Sequence, residues 1–166
     1  MPRRSNHGVA IHVIKTLEQD HKRLKELFQE YKTATSKQKA KIAHISIQEL
    51  ELHAHLEERL IYPAIREEID AKDVVNEAIE EHHLVHVLIA DLKNLKPNAE
   101  QFKAKFNVLA EVVKRHIKEE EDEMLPRAGR SHIDWETLSA RVTQSKEQLL
   151  EKQAPRPRGR RGIAAR

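Results

Sequence analysis

The sequence predicts an all-α protein, an up-down-up-down antiparallel four-helix bundle with an additional C-terminal helix. Three observations carry that prediction. Apolar residues recur with the 3.6-residue period over four long segments and a shorter fifth. Only four Gly and six Pro interrupt the 166 residues, so the elements can run long. The links between them are short, and short links set consecutive helices side by side in opposite directions. No segment alternates with period two, so no sheet is expected.

The first helix is expected over about residues 9–33, with Ile14, Leu17, His21, Leu24 and Phe28 on one face. Thr35 and Gln38 have the spacing of a capping box that opens the second helix. That helix covers about residues 37–69, with Leu50, His53, Glu57, Leu60 and Ala64 in line. The third covers about residues 74–95 and aligns Val75, Ala78, His82, Val85, Ile89 and Leu92. Lys96-Pro97-Asn98 ends it and offers Asn98 as N-cap of the fourth. The fourth covers about residues 99–127, with Phe102, Phe106, Leu109, Val113, His116, Glu120 and Met124, and Gly129 closes it. The fifth, over about residues 135–150, carries Trp135, Leu138, Val142 and Leu149. The expected division is a bundle over residues 1–130, an accessory helix over 131–152 and a disordered Arg-rich tail over 153–166.

Composition narrows the chemistry. With no Cys, the chain has no disulfide scaffold, no cysteine zinc site and no thiolate nucleophile. It has no long apolar run that would span a membrane, and its first residues form no secretory leader, so a cytoplasmic location is expected. The net charge of +3 belongs to the tail: subtracting the five arginines of residues 154–166 leaves −2. Those arginines could touch nucleic acid electrostatically. No aromatics interleave with them, so the reading is a solubilising tail rather than a nucleic-acid interface. GxSxG, P-loop, Rossmann and HExxH patterns are absent.

Eleven His remain to be explained, and an internal repeat explains five of them. His53, Glu57, Glu58 and Pro63 recur as His116, Glu120, Glu121 and Pro126 at identical offsets. The preceding helices match as well, Asp20-His21 against Glu81-His82. The chain reads as two copies of one helical hairpin related by a pseudo-twofold axis. His21, His53, His82 and His116 fall on apolar stripes, as do Glu57 and Glu120. An unpaired buried carboxylate costs several kcal/mol, so two inward glutamates call for a compensating cation, and imidazole is its commonest nitrogen ligand. His86, four residues after His82, can face the same ion or, on the helix flank, act as a hydrogen-bond donor behind the ligands, whereas its repeat counterpart is Lys25. Five His and two Glu exceed the needs of one tetrahedral ion and suit two. His82, His86 and His116 would serve one and His21 and His53 the other, with Glu57 and Glu120 bridging. The pair with two His keeps an open position. His55 and His83 point away from these stripes, and His7, His12, His44 and His132 have no partner at ligand spacing. Tyr62 could stabilise a metal-bound oxygen species, but packing beside the Pro63 break is the favoured reading.

Over roughly residues 16–126 these motifs resemble the hemerythrin-like, or HHE cation-binding, domains. The resemblance implies a four-helix bundle around two non-haem iron ions with carboxylate bridges. His82 and His86 match the His-x-x-x-His of the oxygen carriers' third helix. The carriers' fourth-helix His-x-x-x-x-Asp is replaced here by Glu120 and Glu121 at +4 and +5 from His116. Glu120 follows the core stripe and mirrors Glu57, with Glu58 and Glu121 as second choices. The resemblance further implies binding of dioxygen, nitric oxide or peroxide, and turnover of peroxide would make the protein catalase-like or peroxidase-like. An iron-storage or iron-sensing module and a metal-free helical interaction protein are the alternatives.

Overall fold

The computed structural model describes residues 3–70 and 72–153, and the Arg-rich tail lies outside them. All regular structure among the described residues is helical: α1 (Arg3–Thr33), α2 (Ser36–Leu56), α3 (Tyr62–Glu68), α4 (Lys72–Lys93), α5 (Glu100–Glu119), α6 (Leu125–Gly129) and α7 (Trp135–Gln153). A π-turn at Glu57–Ile61 joins α2 to α3 in one continuous rod, and a second at Glu120–Met124 joins α5 to α6. Helix α1 packs on α2 and α4 on α5, while α7 lies across α1 and α2.

The caps follow local chemistry. Thr35 takes extended backbone angles and its N–H donates to Gln38 Oε1 at 3.0 Å, which is the expected capping box. Helix α4 stops at Lys93, two residues early, and the N-cap of α5 is Ala99 rather than Asn98. The chain turns twice between Asp91 and Ala99, with Asn94 N–H donating to the Asp91 carbonyl and Ala99 N–H to that of Lys96. That second turn spends Asn98 inside itself. Gly129 is the last helical residue and has no left-handed backbone. A β-carbon there would stand 3.0 Å from Ile14 Cδ1, so close helix packing explains the glycine.

Each π-turn begins at an inward glutamate and is followed by a proline. In a regular α-helix Pro63 could not donate to the Arg59 carbonyl and its ring would strike it. The wide turn removes the conflict, with Tyr62 N–H donating to the Glu57 carbonyl. Leu125 N–H donates to the Glu120 carbonyl ahead of Pro126 in the same way. The extra residue advances the helix phase by about 100°. The expected stripe through Leu60 and Ala64 is therefore displaced: these two are half-buried, while Ile61, Tyr62 and Ile65 are buried.

The core is split in two. One apolar cluster gathers Leu24, Phe28, Leu50, Val85, Phe106 and Val113. The other gathers Leu17, Ile61, Tyr62, Ala78, Met124 and Trp135. His21 lies between Leu17 and Leu24 in the chain, and His82 between Ala78 and Val85, so the helices pass from one cluster to the other at these histidines. His53 and His116 stand at the same crossings on α2 and α5. A polar layer thus separates two dry ones.

Candidate metal centre

Every polar residue of that layer is nearly inaccessible: His21, His53, Glu57, His82, His116 and Glu120 are all at most 6% exposed. The imidazoles pair. His21 Nε2 lies 3.1 Å from His53 Nε2, and His82 Nε2 lies 2.9 Å from His116 Nε2. Glu57 spans the pairs, with Oε1 3.1 Å from His53 Nε2 and Oε2 3.3 Å from His82 Nε2. Glu120 reaches both through one oxygen, its Oε2 standing 3.3 Å from His21 Nε2 and 3.5 Å from His116 Nε2.

The outer nitrogens explain why the inner ones converge. His82 Nδ1 bonds Glu58 Oε1 at 2.9 Å, and His21 Nδ1 bonds Glu121 Oε1 at 3.0 Å. His116 Nδ1 bonds Glu81 Oε2 at 2.8 Å. A carboxylate accepting from Nδ1–H fixes the tautomer, so Nε2 turns its lone pair inward and becomes more basic. The +5 glutamates therefore cross between hairpins, each orienting the histidine of the other copy's first helix. Glu81 orients the second-helix histidine of its own copy. Asp20, its repeat counterpart, faces His53 Nδ1 at 3.8 Å, an ionic contact too long for a hydrogen bond, and receives Lys146 Nζ at 3.2 Å instead.

Tyr62 reaches further inward than its favoured packing reading requires. Its side chain packs as expected, but its hydroxyl enters the polar layer. It donates to Glu120 Oε1 at 2.5 Å, with Glu57 Oε2 at 3.2 Å, His82 Nε2 at 3.1 Å and His116 Nε2 at 3.3 Å around it. The π-turn aims it there, and its repeat counterpart is Leu125, so only one half carries this oxygen. His86 stands elsewhere. It is 44% exposed on the flank of α4, and its Nε2 bonds Glu58 Oε1 at 2.7 Å. Its counterpart Lys25 likewise holds Glu121 from outside, at 3.3 Å. Glu58 and Glu121, the second choices for bridges, are thus occupied at the outer nitrogens. His7, His12, His44, His55, His83 and His132 are exposed.

The electrostatics leave a positive charge wanting. Burial opposes protonation of His53, yet Glu57, Asp20 and Glu120 outweigh it and push its pKa up to about 10. Burial would raise the Glu57 carboxyl, but His53 and His82 hold it well below the usual range. Burial and the Glu57 and Glu120 charges push the Tyr62 phenol well up. Even so, Glu57 Oε1 and Glu120 Oε2 are buried without a hydrogen-bond partner. Two groups bring their ligand atoms within 4.8 Å of one another: His21, His53, Glu57 and Glu120, and Glu57, His82 and His116. Glu57 is common to both. Neutral imidazoles, carboxylates and no sulfur suit a first-row divalent or trivalent cation, so the residues fit such an ion.

Comparison with known proteins agrees with this geometry. The hemerythrin HHE cation-binding domain family matches residues 12–128. A solved hemerythrin HHE cation-binding domain-containing protein from Mycobacterium kansasii superposes with a TM-score of 0.69 over 87% of this chain and 93% of that one, at 22% identity. At that identity the likeness speaks to fold alone. A DNA nickase from Nostoc sp. is 28% identical over 128 residues, which are 76% of this chain but 36% of the nickase. The chain therefore spans about a third of that relative. No helix among the described residues is long and apolar enough to cross a membrane. On the family match and the buried His/Glu layer together, the chain belongs to the hemerythrin HHE cation-binding domain family.

Proposed function

We propose that this chain is a hemerythrin-like non-haem di-iron protein that binds or reacts with a small oxidant, dioxygen, nitric oxide or peroxide, within an up-down-up-down four-helix bundle. The observation that carries this reading is the division of Glu57: one oxygen faces the His21–His53 pair and the other the His82–His116 pair. A carboxylate so placed suits two ions better than one. His21 and His53 would hold one iron and His82 and His116 the other, with Glu57 and Glu120 shared. Tyr62, rather than His86, stands beside the second pair and would supply its oxygen donor.

Iron supplies reversible one-electron chemistry and an affinity for small oxidants. The chain's own residues do the rest. Glu58, Glu121 and Glu81 hold the imidazoles in ligating orientation. The two apolar clusters flank the layer on both sides and lower the dielectric around it, which strengthens the charge interactions within it. The Tyr62 hydroxyl holds a proton between Glu120 and Glu57. The Tyr62 hydroxyl stands beside the His82–His116 pair and not beside the His21–His53 pair, so the ion at the latter would keep a position open for a small ligand.

Metal analysis of aerobically purified protein tests the reading. About two irons per chain and a near-ultraviolet charge-transfer band are expected; no iron, or a single zinc, would overturn it. Oxygen evolution on adding peroxide separates a catalase-like enzyme from a carrier, a store or a sensor. The relation to a DNA nickase adds a narrower proposal, that any contact with nucleic acid arises from the arginines of residues 154–166.

A further inference from the structure

Among the described residues, two cavities lead from the surface to the polar layer, and the repeat relates them. One, of about 210 Å³, lies between α4 and α5 and is lined by Glu77, Glu81, His116, Glu119, Glu120 and Glu123 among others. The second, of about 240 Å³, is lined by Asp20, Arg23, Glu49, His53 and Lys146 among others. Asp20 and His53 are the repeat counterparts of Glu81 and His116, so the two cavities reach the layer at equivalent places. They differ in charge. The first has five carboxylates in its lining; Arg115, beside it, pairs Glu81 at 2.9 Å and Glu119 at 3.9 Å, which leaves Glu77, Glu120 and Glu123 without a Lys or Arg partner among the described residues. The second has two carboxylates facing two cations, and α7 lays Lys146 over Asp20.

We infer that the α4–α5 cavity is the port through which the metal cation loads, with Glu77 and Glu123 drawing it inward from solvent to Glu120. The inference rests on the di-metal reading above. The acidic lining does not stand alone. Glu120, with its side chain 2% exposed, belongs to the lining, and its Oε2 is one of the buried oxygens without a hydrogen-bond partner. An arriving cation meets exposed carboxylates at Glu77 and Glu123, then an orphaned carboxylate oxygen, then the His116 and His21 nitrogens beside it. Carboxylates of one sign round a low-dielectric cleft concentrate counter-ions and raise association rates. Helix α7 brings Lys146 and α1 brings Arg23 to the mouth of the equivalent route, which closes it to cations. Accessory helix and acidic port are thus two halves of one asymmetry.

The test is the rate of Co²⁺ uptake by metal-stripped full-length protein, followed by visible absorption at low and high salt. The double variant Glu77→Gln/Glu123→Gln changes two exposed side chains that do not contact the histidines. It should load about 10-fold more slowly at low ionic strength, converge on the native rate at high salt and reach the same final cobalt content. Glu49→Gln, at the other mouth, should load at the native rate. Circular dichroism checks that all three proteins are equally folded. Native-rate loading by the double variant, or equal slowing by Glu49→Gln, would overturn the port while leaving the metal centre standing. No cobalt uptake by the native protein would overturn the metal centre itself and the port with it.

Discussion

Asp20 stands 3.8 Å from His53 Nδ1, where its repeat counterpart Glu81 stands 2.8 Å from His116 Nδ1. One methylene separates the two acids, and Lys146 holds the shorter one at 3.2 Å from the other side. His53 Nδ1 is left buried without a hydrogen bond. Lengthening the acid should restore that bond. Asp20→Glu is expected to tighten metal binding at the His21–His53 pair by roughly 10-fold, since orienting partners of ligating histidines contribute on that scale. Competition against a coloured chelator measures it, and unchanged affinity would show that the missing bond has no bearing on the site.

His116→Ala removes one nitrogen from the second pair and leaves Glu81 and Glu120 facing the gap. The variant should retain about one metal ion per chain in place of two. Because metal binding is linked to folding, its melting temperature in the loaded state should fall by about 5 °C or more. His83→Ala, on the exposed face of α4, should match the native protein in both measurements.

The metal-free protein should lose stability as the solution becomes more alkaline. His53 is raised from an ordinary value of about 6.5 in the unfolded chain to about 10 in the folded one. Its contribution is therefore complete below about pH 6.5 and disappears as pH rises through about 10. Glu57 is depressed by its histidines, so its contribution is present above the ordinary carboxylate range and is lost as pH falls toward its lowered value. The melting temperature of stripped protein should accordingly be several degrees lower at pH 9.5 than at pH 6.5. Loaded protein should not follow that decline, because binding displaces the His53 proton and grows tighter as pH rises. Parallel melting curves for the two forms would count against the proton and the metal competing for the same nitrogen.

Tyr62→Phe deletes one oxygen at the centre of the layer and leaves Glu120 Oε1 without its donor. The stripped variant should be less stable by about 1–3 kcal/mol, the usual consequence of leaving a buried acceptor unsatisfied. If the phenol coordinates iron, the loaded native protein carries a visible phenolate-to-iron absorption that the variant lacks. The same substitution should leave the His21–His53 pair able to hold its ion. Chain truncation after residue 153 tests a separate matter. Retention on DNA at low salt, if the full chain shows it, should vanish with the five arginines.

The histidine layer was legible because a repeat is a redundant signal. His53 and Glu57 are confirmed in spacing by His116 and Glu120, and each lies where an apolar residue belongs. The outer partners were visible without being interpretable. Asp20 and Glu81 precede matching histidines, yet nothing in one dimension says that each acid faces the histidine of the neighbouring helix, or that only Glu81 reaches it. The inward turn of the Tyr62 hydroxyl is hidden from the sequence period for a specific reason. A 3.6-residue period carried through Glu57 points to Leu60 and Ala64, and only the π-turn turns Tyr62 inward. His86 shows the converse. Its spacing from His82 is right for a shared ion, but Glu58 meets it at the helix flank.

The two wide turns make the centre sensitive to length as well as to chemistry. Deleting one residue within 57–61 would leave the composition of the helix almost unaltered and relieve nothing. It would restore a tight turn against Pro63 and rotate all that follows by about 100°, carrying Tyr62 away from Glu120. A deletion within 120–124 would do the same to Leu125 and the contact between Gly129 and Ile14. Substitutions at the exposed glutamates near the site can be absorbed one at a time, but a change in residue count between histidine and proline cannot. Both hairpins carry the surplus residue at the same offset, so they share a length rule as well as a ligand set.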